Sequence, residues 1–400
     1  MKSAIILALA FSSACIACQT TTRSERQPQA AIVTAKTITI PGEETPVFLG
    51  GYGSSMVYNP TDSCFYILTD RGPNVDGLTP ESKVFPIPDY SPVIGRFRLQ
   101  GDSLVLIENI ILKDNTGLNF VGLPNTEGDG VTGEVAYSLS GEIIQNPSRG
   151  LDSEGLALAP DSTFWVSDEY APFIMQFDRQ GNLLRELSPS NGLPEYYAKR
   201  RPNRGMEGLT ISKDGKYLYG IMQSPLYYPD KSTKDKSLNN RIIQIDLTKN
   251  TSKEYIYQLE DPKNVVSEIS CINDSTFLVM ERDGDFPKEG KGFKKVYQIN
   301  LNKASDISDK IIEPLSSDEL AAQQILPVKK DLLTDLLIAI PGYRHDKPEG
   351  ITLYNDSTLC VVNDDDFGID ASPDGKFVPK TDAKGELDRN VVYFIPVTLK

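Results

Sequence analysis

One histidine and one tryptophan are all that this chain of 400 residues holds of either. The lone His345 excludes whole classes of chemistry. Histidine phosphatases need a nucleophilic imidazole and ordinarily a second one, while most zinc and binuclear phosphatase centres take several. A serine triad could use the run Arg344-His345-Asp346, but no G-x-S-x-G elbow supplies the nucleophile. We therefore read His345 as a surface or loop residue without a catalytic part. Cysteine is scarce as well. Beyond Cys15 and Cys18 the chain keeps Cys64, Cys271 and Cys360, an odd number at unpatterned spacing, which predicts buried thiols and neither a disulfide framework nor a metal site. Positive charge is in deficit, with 41 Lys and Arg against 55 Asp and Glu. That balance argues against a nucleic-acid partner.

Long apolar runs are also missing. The longest near the N-terminus, Ala4 to Ala14 after Lys2, is too short to span a bilayer and reads as an export signal. The cysteines that follow it predict lipoprotein processing, with Cys18, after Ile16 and Ala17, as the lipidated residue and Cys15 as the alternative. On this reading residues 1–18 are a signal peptide, 19–35 a polar tether and 36–400 one domain. The expected location is periplasmic or on the outer membrane or cell surface of a bacterium, with the membrane reached only through the lipid, and the expected state is a monomer.

What the chain does have is a repeat. Five times an Asp followed by Ser or Gly leads a short apolar run: DSCFYILTDR from Asp62, DSTFWVSDEY from Asp161, DGKYLYGIMQ from Asp214, DSTFLVMERD from Asp274 and DSTLCVVNDD from Asp356. In three copies the upstream residues also match, as EGLALAP from Glu154, EGLTISK from Glu207 and EGITLYN from Glu349. Apolar runs on both sides of an Asp-Ser or Asp-Gly turn predict β-hairpins. A second hairpin pattern follows several copies, as in RFRLQGDSLVLIENI and IMQFDRQGNLLREL. Two hairpins per unit predict an all-β chain folded as a β-propeller, six-bladed, with five or seven blades as alternatives. The sixth blade would come from 114–150 or 303–345. Closure would pair IVTAKTITI with VVYFIPV, and a small helical insertion is expected at 316–340, opened by a capping box at Ser316 and Glu319.

In a propeller equivalent positions converge on one channel mouth, so the repeated acids should meet. The candidates are Asp70, Glu154, Asp168, Glu169, Glu207, Glu268, Glu281, Asp283, Glu349, Asn363 and Asp364 to Asp366. Carboxylates gathered in this way repel unless a cation compensates, and a hard divalent ion, Ca²⁺ above all, suits an all-oxygen set. Arg71, Arg204 and Arg282 stand in the same loops. Each could be a salt-bridge partner, or together with a metal they could clamp a phosphoryl or carboxylate group.

The motifs DRGPN at 70–74, LDSEGLAL at 151–158, NRGMEGLTISKDGKYLYGIMQSPL at 203–226, LVMERD at 278–283, PEGITL and CVVNDDDFG resemble those of the bacterial phytase-like esterase family, from about residue 45 to the C-terminus. The resemblance implies a propeller and phosphoester hydrolysis. Its acids fall on Asp70, Asp152, Glu154, Asp168, Glu169, Glu207, Glu281 and Glu349, while Gln223 stands where the ring of charge is incomplete. We therefore expect a Ca²⁺-dependent hydrolase of small phosphate esters, with one of Glu154, Glu207 and Glu349 as general base. Asp70, Asp152, Asp168, Glu169, Glu281 and Asp364 are the expected metal ligands, and Arg71, Arg204 and Arg282 the substrate contacts. The alternatives are a Ca²⁺-dependent lactonase or carboxylesterase, and a non-catalytic binding lipoprotein with a structural channel ion. A phosphatase needs a rim rich in Arg and Lys; a lactonase needs few bases and an apolar lid.

Overall fold

Each expected hairpin forms. In the computed structural model, which describes residues 29–400 apart from 147, 148, 290 and 374, the Asp-led runs are the strands Cys64–Thr69, Phe164–Asp168, Tyr217–Met222, Thr276–Arg282 and Thr358–Asn363. The turn ahead of each is held by a side-chain oxygen that accepts the amide two residues on. Asp62, Asp161 and Asp214 do this at 3.2, 3.0 and 3.1 Å. In the last two copies the part passes one residue back, to Asn273 and Asn355. The turns fold these strands antiparallel onto Tyr52–Asn59, Ser153–Leu158, Met206–Ile211, Val265–Cys271 and Pro348–Asn355.

Two more strands complete each unit. They are Val93–Gln100 with Ser103–Ile111, Ile174–Phe177 with Leu183–Leu187, Asn239–Asp246 with Thr251–Gln258, Lys294–Asn300 with Lys329–Asp335, and Val391–Pro396 with Ala30–Val33. The innermost strands pack in succession around a channel, and Pro348–Asn355 packs on Tyr52–Asn59 to close the ring. The fold is an all-β propeller. Apolar layers fill the gaps between blades, such as Leu68 and Ile94 of the first with Leu156, Val166 and Phe177 of the second.

Among the described residues there are five four-stranded blades, where six were preferred. The region 114–150 contributes only Val135–Tyr137 to a minor sheet with Val75–Asp76 and Ser82–Val84. Its Phe120, Val121, Leu123 and Ala136 are buried against neighbouring elements, but Leu118, Val131, Val135, Leu139 and Ile143 stay exposed, so its apolar residues do not alternate over a length that would make a four-stranded sheet. The region 303–345 supplies the outer strand of the fourth blade instead. The helix expected over 316–340 is accordingly confined to Ser317–Ala322, where the capping box does form, and to Leu336–Ala339.

The chain ends meet, Ala31 opposite Val392, but of the expected run 32–40 only Ile32 takes part in that pairing: Lys36–Thr39 pairs with Pro46–Leu49 instead, and the domain begins before residue 36. Ala30–Val33, assigned to the tether, is the outer strand of the fifth blade and also pairs in parallel with Ser103–Ile111 of the first. Its alternation is only four residues long, with Ala31 and Val33 buried around an exposed Ile32, too brief to stand out from its polar neighbours. The signal segment and Cys18 lie outside the described residues. Cys64 and Cys360 are buried free thiols, and Cys271 is partly buried.

Every innermost strand carries a register shift at the Glu-Gly position or its equivalent. Such a bulge turns one side chain out of the alternation and toward the rim. The glycine after the glutamate has a separate cause. A Cβ on Gly155 would lie 2.4 Å from the carbonyl oxygen of Glu207, and one on Gly208 2.5 Å from the amide nitrogen of Ile269, so each glycine lets the next blade approach. Gly208→Ala is expected to cost roughly 1–3 kcal/mol, as overpacking does, visible as a lower thermal midpoint with the fold otherwise intact; an unchanged midpoint would refute this close approach. In the fourth blade Glu268 holds the glycine position. Its carboxylate takes the hydroxyl of Ser55 and the amides of Leu209 at 3.1 Å and Ile269 at 2.9 Å, tying three blades together across the channel.

Candidate functional site

Two cavities open at opposite ends of the channel, and no residue lines both. The larger, about 830 Å³, is walled by hairpin turns and offers only Lys213, Glu268 and Asp356 as charged groups. The smaller, about 530 Å³, holds ten carboxylates and six cationic side chains, with Val75, Val265 and Ile369 as its apolar lining apart from a glycine. The chemistry is therefore at the smaller one.

The pairing register explains which residues reach it. Aligned on the pairs Met56 with Ile67, Leu156 with Val166, Leu209 with Gly220, Ile269 with Val279 and Ile351 with Val361, the position three residues further along the second strand reads Asp70, Glu169, Gln223, Arg282 and Asp364. All five line the cavity. The residue before each faces the other way, because side chains alternate along a strand. That position holds Thr69, Asp168, Met222, Glu281 and Asn363, which corrects two expected metal ligands.

Glu281 is fully committed between blades, accepting from Tyr257, the Glu260 amide and Asn264 at 2.8 Å each and from Lys330 at 2.6 Å. Asp168 lies behind the cavity, where one oxygen accepts the amides of Asp152 and Tyr170 at 3.0 Å. It orients Asp152 and does not face the cavity. The other expected residues, Asp70, Arg71, Asp152, Glu154, Glu169, Arg204, Glu207, Arg282, Glu349 and Asp364, come together there.

Their partners divide them. Glu349 is paired with Arg282 at 2.6 Å, and Arg282 also donates to Ser267. Arg71 spans Glu134 at 3.0 Å and Asp152 at 3.5 Å. Gln223, the gap in the ring of charge, donates to Glu169 at 2.5 Å and Glu207 at 3.0 Å, so a neutral amide links two acids that a third carboxylate would repel. Asp364 accepts the Asp366 amide at 2.9 Å and lies 3.4 Å from Lys347. Glu154 accepts no hydrogen bond from any described residue, although it is buried. Arg204 is half-buried and makes no side-chain pair among the described residues either.

The electrostatics follow. Burial, then Glu207, Asp152, Glu349 and Glu169, push the Glu154 carboxyl far above its usual range. Burial and then Glu169 and Glu349 do the same to Glu207, and burial and then Asp152 to Glu169. Burial with Arg201 nearby holds Arg204 below the usual guanidinium range. Oxygens of Asp152, Glu154 and Glu169 lie within 4.8 Å of one another. That is the span of oxygens around a hard cation, roughly twice a Ca²⁺–O distance of 2.3–2.6 Å, so the donor set fits such an ion.

Sequence reasoning missed Lys347, which reaches the cavity from the fifth blade, and Lys380 behind it. Lys347 stands two residues before the Glu-Gly motif, a place that could have marked it. His345 lies in a loop, as one of the two expected placements has it, but it is buried and not on the surface. It is 1% exposed, with Nδ1 2.6 Å from Asp388 and Nε2 2.8 Å from the Tyr393 hydroxyl, in a buried network away from the cavity lining.

Residues 48–367 match the model of the phytase-like family, described as esterase-like activity of phytase. The chain belongs to this family. The phytase-like chain is also 26% identical over 341 residues to an uncharacterized secreted protein of Arthroderma benhamiae, an alignment covering 68% of this chain and 66% of that protein. The chain thus spans just under two thirds of that relative. Solved structures similar to it include a protein from Lactobacillus plantarum, at a TM-score of 0.37 and 12% identity over 88% of this chain and 92% of that one. Another is virginiamycin B lyase from Staphylococcus aureus, at a TM-score of 0.32 and 12% identity over 90% and 99%.

Proposed function

We propose that this protein is an exported, metal-dependent hydrolase of small phosphate esters. The observation that carries the reading is the meeting, in one cavity, of three buried carboxylates, of which only Asp152 has a cationic partner, Arg71 at 3.5 Å, with Arg204, a guanidinium that has no side-chain partner among the described residues. Asp152, Glu154 and Glu169 would hold Ca²⁺ or a similar hard ion. When bound, such an ion supplies charge stabilisation at a phosphoryl oxygen and a more acidic water. Arg204 binds and orients the anion, as bidentate guanidinium recognition of phosphate requires. Arg71 and Arg282, expected as substrate contacts, are engaged by Glu134, Asp152 and Glu349 and orient those acids. Glu207 is the candidate base. Burial and the neighbouring Glu169 and Glu349 raise its carboxyl, the direction a general base needs, and among the described residues only Gln223 donates to it, so an oxygen is left to take a proton.

Six bases and almost no apolar lining argue against the lactonase alternative, which needs a hydrophobic lid. Lipid anchoring through Cys18, action as a monomer and placement in the periplasm or on a bacterial surface remain part of the proposal; the description of the A. benhamiae relative as secreted supports export. The test is metal analysis of the purified protein with a hydrolysis screen of phosphate monoesters, diesters, lactones and nitrophenyl carboxylates. Bound Ca²⁺ and phosphoester turnover that chelation abolishes and Ca²⁺ restores are expected. Turnover of lactones alone would establish the second reading, and metal without turnover the binding role.

A further inference from the structure

Beside the cavity, a row of alternating charges runs into the fifth blade. Lys347 lies 2.5 Å from one oxygen of Asp366 and 3.4 Å from Asp364. The other Asp366 oxygen is 2.7 Å from Lys380, whose side chain is only 4% exposed. Lys380 is also 2.9 Å from Asp346 and 3.5 Å from Asp388, and the ring of Phe286 covers it at 5.6 Å. Asp388 in turn holds His345. Asp366 itself has a φ of 47° and is followed by Phe367 at 58° and Gly368 at 72°, a left-handed turn that two non-glycine residues adopt only when their surroundings hold them.

Asp366 thus serves two ammonium groups with one oxygen each. Without Lys380 both oxygens would be open to Lys347, which would be held more tightly on Asp366 and drawn off Asp364, leaving its ammonium less available to a ligand in the cavity that Lys347, Asp364 and Asp366 line. With Lys380 in place, Lys347 is shared between two acids, keeps 33% of its side chain exposed and lines the same cavity as Arg204. We propose that Lys347 is an anion-contacting residue of this cavity and that Lys380 is the buried positioning residue that keeps it there. The ligand class is a phosphoryl oxyanion, which rests on the phosphoester reading above.

The experiment reads Lys347 directly. Limited acetylation of Lys347 is followed by peptide mass spectrometry, and inorganic phosphate affinity in the presence of Ca²⁺ by calorimetry. Lys380→Met is expected to slow Lys347 labelling several-fold, and Asp366→Asn to speed it, because these changes pull the amine toward the acid or release it. Lys380→Met and Lys347→Met should each weaken phosphate by about tenfold, the loss of a hydrogen bond to a charged group. The double variant should lose no more than either alone, and Lys380→Arg should restore both readouts. Labelling unchanged in Lys380→Met, or losses that multiply in the double variant, would overturn the proposal. If Lys380→Met does not fold, Asp366→Asn decides: unchanged labelling there is equally fatal. A wild-type protein that binds no phosphate would sink the phosphoester reading and the anion-contacting part of this one, while the labelling rates still decide whether Lys380 positions Lys347.

Discussion

Glu154→Gln should raise the thermal midpoint of the metal-free protein while abolishing metal binding and hydrolysis together. Glu154 is buried among Asp152, Glu169, Glu207 and Glu349 and has no hydrogen-bond donor among the described residues. Its charged form is therefore disfavoured by desolvation and by like charges, and a neutral amide of the same shape relieves both. The gain should be roughly 1–2 kcal/mol, the scale of other surface-charge and site-relieving substitutions. Loss of a ligand oxygen, by contrast, should cost on the order of 10²-fold or more in rate. The two effects have opposite signs, which separates a ligand from a structural acid. A variant that melts lower than wild type, or that keeps wild-type Ca²⁺ affinity in calorimetry, would remove Glu154 from the site.

Metal-free protein should lose stability as the pH rises, and Ca²⁺ should reverse that slope. Burial raises the carboxyls of Glu154, Glu169, Glu207, Asp70, Asp152, Asp364 and Asp365, the last to about 7. Each holds its proton more tightly folded than unfolded. The stability they contribute is complete below the unfolded values near pH 4 and is lost as the pH climbs through the folded ones, at about 1.4 kcal/mol for every pH unit that separates the folded from the unfolded value. The carboxylates with lowered values, such as Asp214 at about 2, have the opposite linkage, but they are already ionised in both states above roughly pH 5. Between about pH 5 and 7 the raised carboxyls therefore set the slope; Lys294, which burial lowers to about 8, adds the opposite slope only near and above pH 8. A bound cation replaces those protons, so its stabilisation should grow with pH. Thermal midpoints in chelator and in excess Ca²⁺ should diverge upward; a chelated midpoint that is flat or rises with pH would contradict the assignment.

The inner hairpins were legible because their turn residues act locally. Asp62 or Asn273 needs only its own next two residues to hold the turn, and apolar runs flank it in sequence. Blade count was harder, since Ala30–Val33 becomes a strand only by joining partners from the opposite chain end and from the first blade. Lys329–Asp335 likewise looked helical by the spacing of its leucines, until the free edge of Lys294–Asn300 recruited it. At the site the convergence of Glu154, Glu207 and Glu349 followed from the repeat. The misplacement of Asp168 and Glu281 came from a one-residue ambiguity: side chains alternate along the second strand, and where acids stand at neighbouring positions, as in Asp168-Glu169, the sequence does not say which of the two faces the cavity. Gln223 and Arg282 occupy the same position as Glu169, a chemical change that hides the equivalence from a search for acids.

Glu268 divides the channel of this molecule between two cavities. By bridging Ser55, Leu209 and its own strand's Ile269 amide it stands in the wall of the larger cavity and has no part in the lining of the charged one. On the phosphoester proposal, the charged mouth would then serve as entrance and exit alike, and accumulated product would compete with incoming substrate for one aperture.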